Sequence, residues 1–210
     1  MFAIATLTFE HRVIERTLIA LEKLVDEVAT TGLDGRETLK DLVNFLSAYL
    51  DEIHRPKEVD ILVAHLVESQ QPAAFGPIAA MLGDHTTSSQ AVGRLTSASK
   101  IAEPWTATEV EFVAQAAVDL TTLLREHMQQ EEALLYDLAR SLFGESEVGQ
   151  EIEKQFDAHA KSTAARAQEL SDVAATLVSR WAPADSWKRP AEDIYTRKFI
   201  SPTFTSLMAG

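Results

Sequence analysis

Apolar residues recur every three or four positions through most of this chain, and four of the resulting stripes are each interrupted by a histidine at core spacing. The first stripe runs Leu7, His11, Ile14, Leu18, Leu21, Val25, Val28, and the second Val43, Leu46, Leu50, His54, Glu58, Ile61, Leu62, His65. The third is Ile78, Met81, His85, Val92, Leu95, and the fourth Val113, Ala117, Leu120, Leu124, His127, Glu131, Leu135, Leu138. Residues so spaced share one face of an α-helix. Strand-like alternation is missing, so the chain reads as all-α. "TTGLDG" ends the first helix and the second begins near Asp34 or Gly35. "QQPAAFGP" reads as a loop that places Pro77 in the first turn of the third helix. Thr106 and Glu109 spell a capping box that opens the fourth.

Four amphipathic helices predict an antiparallel, up-down four-helix bundle over residues 1–142. A fifth periodic segment, about 146 to 181, carries Ile152, Phe156, His159, Leu170, Leu177 and Trp181. It is expected to be one additional helix packed on the outside of the bundle, in a unit spanning 143–181. Residues 182–210 lose the period and contain three prolines. They read as an extended tail whose aromatics suit docking onto a protein partner or a second copy. With 210 residues and 46% hydrophobic content, the chain can bury one sizeable core.

Composition removes several classes of function. A net charge of −13 disfavours nucleic acid and anionic membrane as partners, because both are bound by lysine and arginine. No cysteine is present, which excludes disulfides, thiolate metal sites and thiol catalysis. No apolar run approaches the ~18 residues of a membrane span, and the start lacks a basic leader. A cytoplasmic protein is the expectation. Nucleophilic catalysis has no supporting serine elbow or glycine-rich phosphate loop.

The polar residues inside the stripes carry the chemistry. His11, His54, His85 and His127 each occupy a core position on a different predicted helix. His54 and His127 are each followed four residues later by a glutamate, Glu58 and Glu131, which lies only about 40° further around the helix. A carboxylate aimed into an apolar core costs several kcal/mol unless it is paired or metal-bound. Dications resolve that cost. Imidazole and carboxylate without sulfur suit Fe, Mn or Zn, and two carboxylates able to bridge point to two ions. The pattern is also repeated: His11 to His54 and His85 to His127 are nearly equal separations, each first histidine follows an acid (Glu10, Asp84), and each second begins His-x-x-x-Glu.

Those words, "EH" at 10–11, "HRPKE" at 54–58, "DH" at 84–85 and "HMQQEE" at 127–132, resemble the hemerythrin-like, or HHE cation-binding, family. The resemblance covers about residues 7 to 142. It implies a four-helix bundle around a di-iron centre with oxo or carboxylate bridges. His11, His54, His85 and His127 would be terminal ligands, and Glu58 and Glu131 would bridge. Oxygen-carrying members have a fifth histidine from His-x-x-x-His on the third helix, but here Met81 and Ser89 flank His85 at that spacing. The departure implies open metal positions and a protein that binds or reacts with oxygen, nitric oxide or peroxide in stress response or sensing. Reversible oxygen storage and iron handling without catalysis are the alternatives, and the residues do not decide whether the protein turns over. A ferritin-like centre fits less well, because its Glu-x-x-His is approached only once, at 51–54. A metal-free helical interaction module is the bland alternative.

Other polar residues read as structural. Glu132 lies about 140° around an α-helix from His127 and is expected on the flank. Glu15 has ligand spacing from His11 but reads first as a flanking charge paired to a nearby cation. His65 is ~16 Å along the helix from His54 and is expected in the core or at an interface. His159 is expected to pack against the bundle. Pro56, which costs ~3 kcal/mol inside an α-helix, marks either a kink that presents His54 and Glu58 or a break into two helices.

Overall fold

A computed structural model describes residues 1–70 and 72–181, of which 72–74 are described in backbone only. The helix α1 is Phe2–Thr31, closed by Gly32 at φ 72°, a left-handed conformation that suits glycine. The span α2 is Arg36–Ala48, continued through π-helical Tyr49–His54 and Pro56–Val63 into Ala64–Glu68. The helix α3 is Pro72–Ser99. The span α4 is Ala107–Gln130, π-helical Glu131–Leu135 and Tyr136–Phe143. Then follow α5, Glu147–Ser162, and α6, Ala164–Trp181. Every regular element among the described residues is helical. None of these helices is long and apolar enough to cross a membrane.

Three boundaries differ from the sequence reading. The stretch expected as a loop before Pro77 is already helical from Pro72, so Pro77 lies inside α3 rather than in its first turn. The segment from about 146 to 181 is two helices, with the turn at Thr163. The apolar period continues across that turn, which is why spacing alone did not reveal it. At Pro56 the second span does not break: it passes into π register, in which the Arg55 N–H donates to the Leu50 carbonyl five residues back. The capping box at Thr106 and Glu109 is present. The tail expected at 182–210 lies outside the described residues.

Each of α1 to α4 packs on two others, α1 on α2 and α4, and α3 on α2 and α4, while α5 and α6 lie against α1 and α2. Two apolar clusters fill the interior. One gathers Leu18, Leu21, Leu42, Leu46, Leu95 and Leu120 with the α6 residues Leu170 and Trp181. The other gathers Ile4, Leu7, Leu62, Met81, Tyr136 and the α5 residue Phe156. Buried Glu10, His11, His54, Lys57, Glu58, His127 and Glu131 fall in sequence between the residues of these clusters and form a polar layer.

The α4–α5 turn is tight. A Cβ on Gly149 would lie 2.0 Å from the Phe143 carbonyl oxygen, whereas one on Gly93 of α3 would meet nothing within 4 Å. Gly149→Ala is therefore expected to lower the unfolding free energy by about 1–3 kcal/mol. Gly93→Ala should leave it unchanged or raise it by up to ~1 kcal/mol through helix propensity. Denaturant titration of the two variants checks both.

Candidate metal centre

The polar layer resolves into two groups of potential ligands. His11, His54, Glu58 and Glu131 form one, and Glu58, His85, His127 and Glu131 the other. Within each, one donor atom from every residue lies within 4.8 Å of the rest. The two groups share both carboxylates. All six residues proposed from spacing are thus brought together, one histidine from each of the four long spans. Glu58 and Glu131 are almost wholly buried, at 0% and 1% exposure.

Outer carboxylates set the direction of the imidazoles. His11 Nδ1 lies 2.9 Å from Glu132 Oε1, His54 Nδ1 3.1 Å from Glu10 Oε2, and His127 Nδ1 3.4 Å from Asp84 Oδ2. A carboxylate accepts, so Nδ1 of His11 and of His54 carries a proton and Nε2 of each faces inward, where a cation would displace any proton it holds. The inward contacts are close: His127 Nε2 to Glu131 Oε1 at 2.7 Å, His11 Nε2 to Glu131 Oε2 at 3.3 Å, and His85 Nε2 to Glu58 Oε2 at 3.3 Å. His85 Nε2 and His127 Nε2 are 3.1 Å apart. Yet Glu58 Oε2 and both Glu131 oxygens accept no well-formed hydrogen bond, although they are buried. Imidazole nitrogens and carboxylate oxygens crowd a common space, and the charge on His11 offsets only part of the carboxylate charge there. A cation is the group that such a donor set fits.

The acid preceding each first histidine acts across its hairpin: Glu10 orients His54, and Asp84 faces His127. The repeat of those acids was visible in the sequence, but their role was not. Buried Lys57 pairs with Glu10 in turn. Glu132, expected as a bystander on the flank, instead holds His11 and Arg12. Its pairing crosses from α4 to α1, which counting along one helix cannot show. Tyr136 gave no signal either. Its hydroxyl donates to Glu58 Oε1 at 2.7 Å and lies 3.1 Å from His11 Nε2.

Other candidates fall outside both groups. Glu15 is drawn outward by Arg125 at 3.0 Å. His65 stands against Phe143 and Glu68. His159, on α5, faces the backbone of Glu52 and Ile53 beside Lys57, and burial, reinforced by that lysine, lowers its pKa. Met81 is buried in apolar surroundings, and Ser89 bonds to Arg55 and the His85 carbonyl.

Burial disfavours charge on His11, but Glu131 and Glu132 outweigh it and raise its pKa to about 9. Burial likewise opposes ionisation of Glu58, and the surrounding histidines overcome it, holding the carboxyl well below its ordinary range. Tyr136 is pushed well above 10 by burial and by the Glu58 and Glu131 carboxylates.

The family model for the hemerythrin HHE cation binding domain matches residues 3–139. No curated protein and no solved structure matches the chain.

Two tests follow from this geometry. His54→Ala and His127→Ala should each lower bound metal, measured on the purified protein by elemental analysis, while His65→Ala leaves it unchanged. Glu132→Gln, by freeing His11, should weaken metal retention about 10- to 100-fold. Equal losses at all four positions would mean that the site is misassigned. In protein stripped of metal by chelation, the raised His11 pKa contributes stability that is complete below the unfolded value near 6.5. That contribution is lost as pH rises through about 9. The melting temperature of the stripped protein is therefore expected to fall between those values, and His11→Asn should flatten the fall.

Proposed function

The chain belongs to the hemerythrin HHE cation-binding domain family, and from that premise we propose that it is a non-haem di-iron protein that binds or reacts with oxygen, nitric oxide or peroxide, in stress response or sensing. The observation that carries the reading is that the two four-residue groups share both Glu58 and Glu131. Two carboxylates common to two sites suit a pair of bridged ions better than a single one. His11 and His54 would hold one ion, and His85 and His127 the other. Iron supplies redox chemistry and exchangeable coordination positions.

The chain's own residues do the rest. Glu10, Asp84 and Glu132 keep the imidazoles directed inward. Ile14, Leu50, Leu124 and Met128 line a small cavity that also borders His54, Arg55, His85 and His127. Apolar walls of that kind suit an uncharged diatomic and disfavour larger polar substrates. Arg55 ties α2 to α3 beside this cavity, bonding Asp51, Ser88 and Ser89 at 2.6, 2.7 and 2.9 Å. Neither Met81 nor Ser89 joins the ligand groups, so the fifth histidine of the oxygen carriers has no counterpart on α3.

The architecture belongs to the same proposal. We read residues 1–142 as an antiparallel up-down four-helix bundle, 143–181 as an added helical unit and 182–210 as a tail that docks onto a partner or a second copy. Supporting the antiparallel order, the α1–α2 turn meets the α3–α4 link at one end, where Arg36 donates to the Ile101 carbonyl at 2.8 Å. At the other end the backbone of Ala3 bonds to the Glu153 carboxylate. A cytoplasmic location and the absence of nucleic-acid partners are proposed from the charge and the missing cysteines.

Aerobically purified protein is expected to contain about two irons per chain with oxo-bridge absorption; a colourless, metal-free, stable fold would sink the reading. Reduced protein mixed with oxygen in a stopped-flow instrument should oxidise without a long-lived oxygen adduct. Met81→His, which adds an imidazole one turn before His85, should slow that oxidation. A reversible oxygenated band lasting minutes would reassign the protein to oxygen storage.

A further inference from the structure

The two candidate sites differ in their donors. Tyr136 is fully buried, and its hydroxyl oxygen lies 2.7 Å from Glu58 Oε1 and 3.1 Å from His11 Nε2. Both neighbours belong to the group of His11, His54, Glu58 and Glu131, and His11 belongs to that group alone. Donor atoms bound at about 2.1 Å to one octahedral ion stand ~3 Å apart along each edge of the octahedron. The phenol oxygen meets that spacing from two members of the set at once. Its ring lies nearly parallel to the His11 ring, tilted by 21°, with the centroids 5.5 Å apart.

A phenol has one proton, and Glu58 Oε1 takes it at 2.7 Å. The oxygen's remaining lone pairs then face His11 Nε2, a nitrogen that would itself hold the ion. At the other group His85 Nε2 and His127 Nε2 face one another, 3.1 Å apart.

Resting on the di-iron reading, we propose that Tyr136 is a fifth protein ligand to one metal ion, through its phenolate oxygen, so that the other ion, held by His85 and His127, is the one that takes the small molecule. On loading with ferric iron the phenol O–H bond breaks, the oxygen lone pair forms the bond to iron, and the proton is released to bulk water, with no change of oxidation state. The tyrosine thereby adds a protein ligand at the ion opposite the one that a fifth histidine beside His85 would serve.

A ferric phenolate has a signature that a hydrogen bond lacks: a visible charge-transfer band whose excitation enhances tyrosine ring modes in resonance Raman spectra. The full-length ferric protein should show it. Tyr136→Phe should lose it completely while keeping the oxo-bridge bands, and should release one fewer proton on loading. The chain has three tyrosines, Tyr49, Tyr136 and Tyr195. Should Tyr136→Phe fail to fold, survival of the band in both Tyr49→Phe and Tyr195→Phe assigns it by elimination. Wild-type protein with two irons and oxo-bridge bands but no phenolate modes overturns this inference and leaves the di-iron reading standing. Protein that binds no iron overturns both.

Discussion

Burying the carboxylates of Glu58 and Glu131 is the constraint around which the interior is organised. Each is buried at 1% exposure or less, where an unpaired charge costs several kcal/mol. Everything within reach answers that cost. Four imidazoles face the two carboxylates, and three of those imidazoles are in turn held by Glu132, Glu10 and Asp84. The negative charge is thus layered, with acids both inside and outside the ring of histidines. Protons on His11 offset part of it, and metal ions would offset it more completely by displacing them.

The layering is not the same on the two halves. Glu10 is buried and paired to buried Lys57, whereas the Asp84 side chain is 31% exposed. Glu132 reaches across to His11, but the residue after Glu58 is Val59, which offers His85 no equivalent. His85 is also the most exposed of the four histidines, with 11% of its side chain accessible. One half-site is therefore tightly framed and the other looser, and the small cavity borders His54 of the first as well as His85 and His127 of the second. On the di-iron reading proposed above, the looser position is the one left for a small molecule.

Much of this was legible in the sequence, because stripes and i to i+4 spacing are properties of single helices. The four helical spans, the capping box at Thr106 and the six candidate ligands follow from counting along each helix in isolation. Relations between helices do not. Glu132 was misread because its partner, His11, lies on another helix, and the crosswise service of Glu10 to His54 was unassigned for the same reason. The boundary at Thr163 has a different origin: the apolar period survives it, so no break in pattern marks the end of one helix and the start of the next.

Tyr136 illustrates a subtler limit, one of helical register. Counting at 100° per residue puts it about 140° from Glu131 and on the opposite face from His127. The span from Glu131 to Leu135 is instead π-helical, with the Tyr136 N–H donating to the Glu131 carbonyl five residues back. A turn closed five residues apart brings positions i and i+5 nearly into line, and the tyrosine follows the glutamate onto the inner face. The α2 span makes the same change of register around His54 and Glu58, where Pro56 has no N–H to give an α-helical bond. The α4 span reaches π register with no proline at all, so the register is tied to the glutamates of the site and not to the proline. Pro56 is then tolerated because the turn it occupies has already departed from α-helical bonding. The proline that looked like a break in the second helix is a surface sign of the backbone adjustment that both half-sites share.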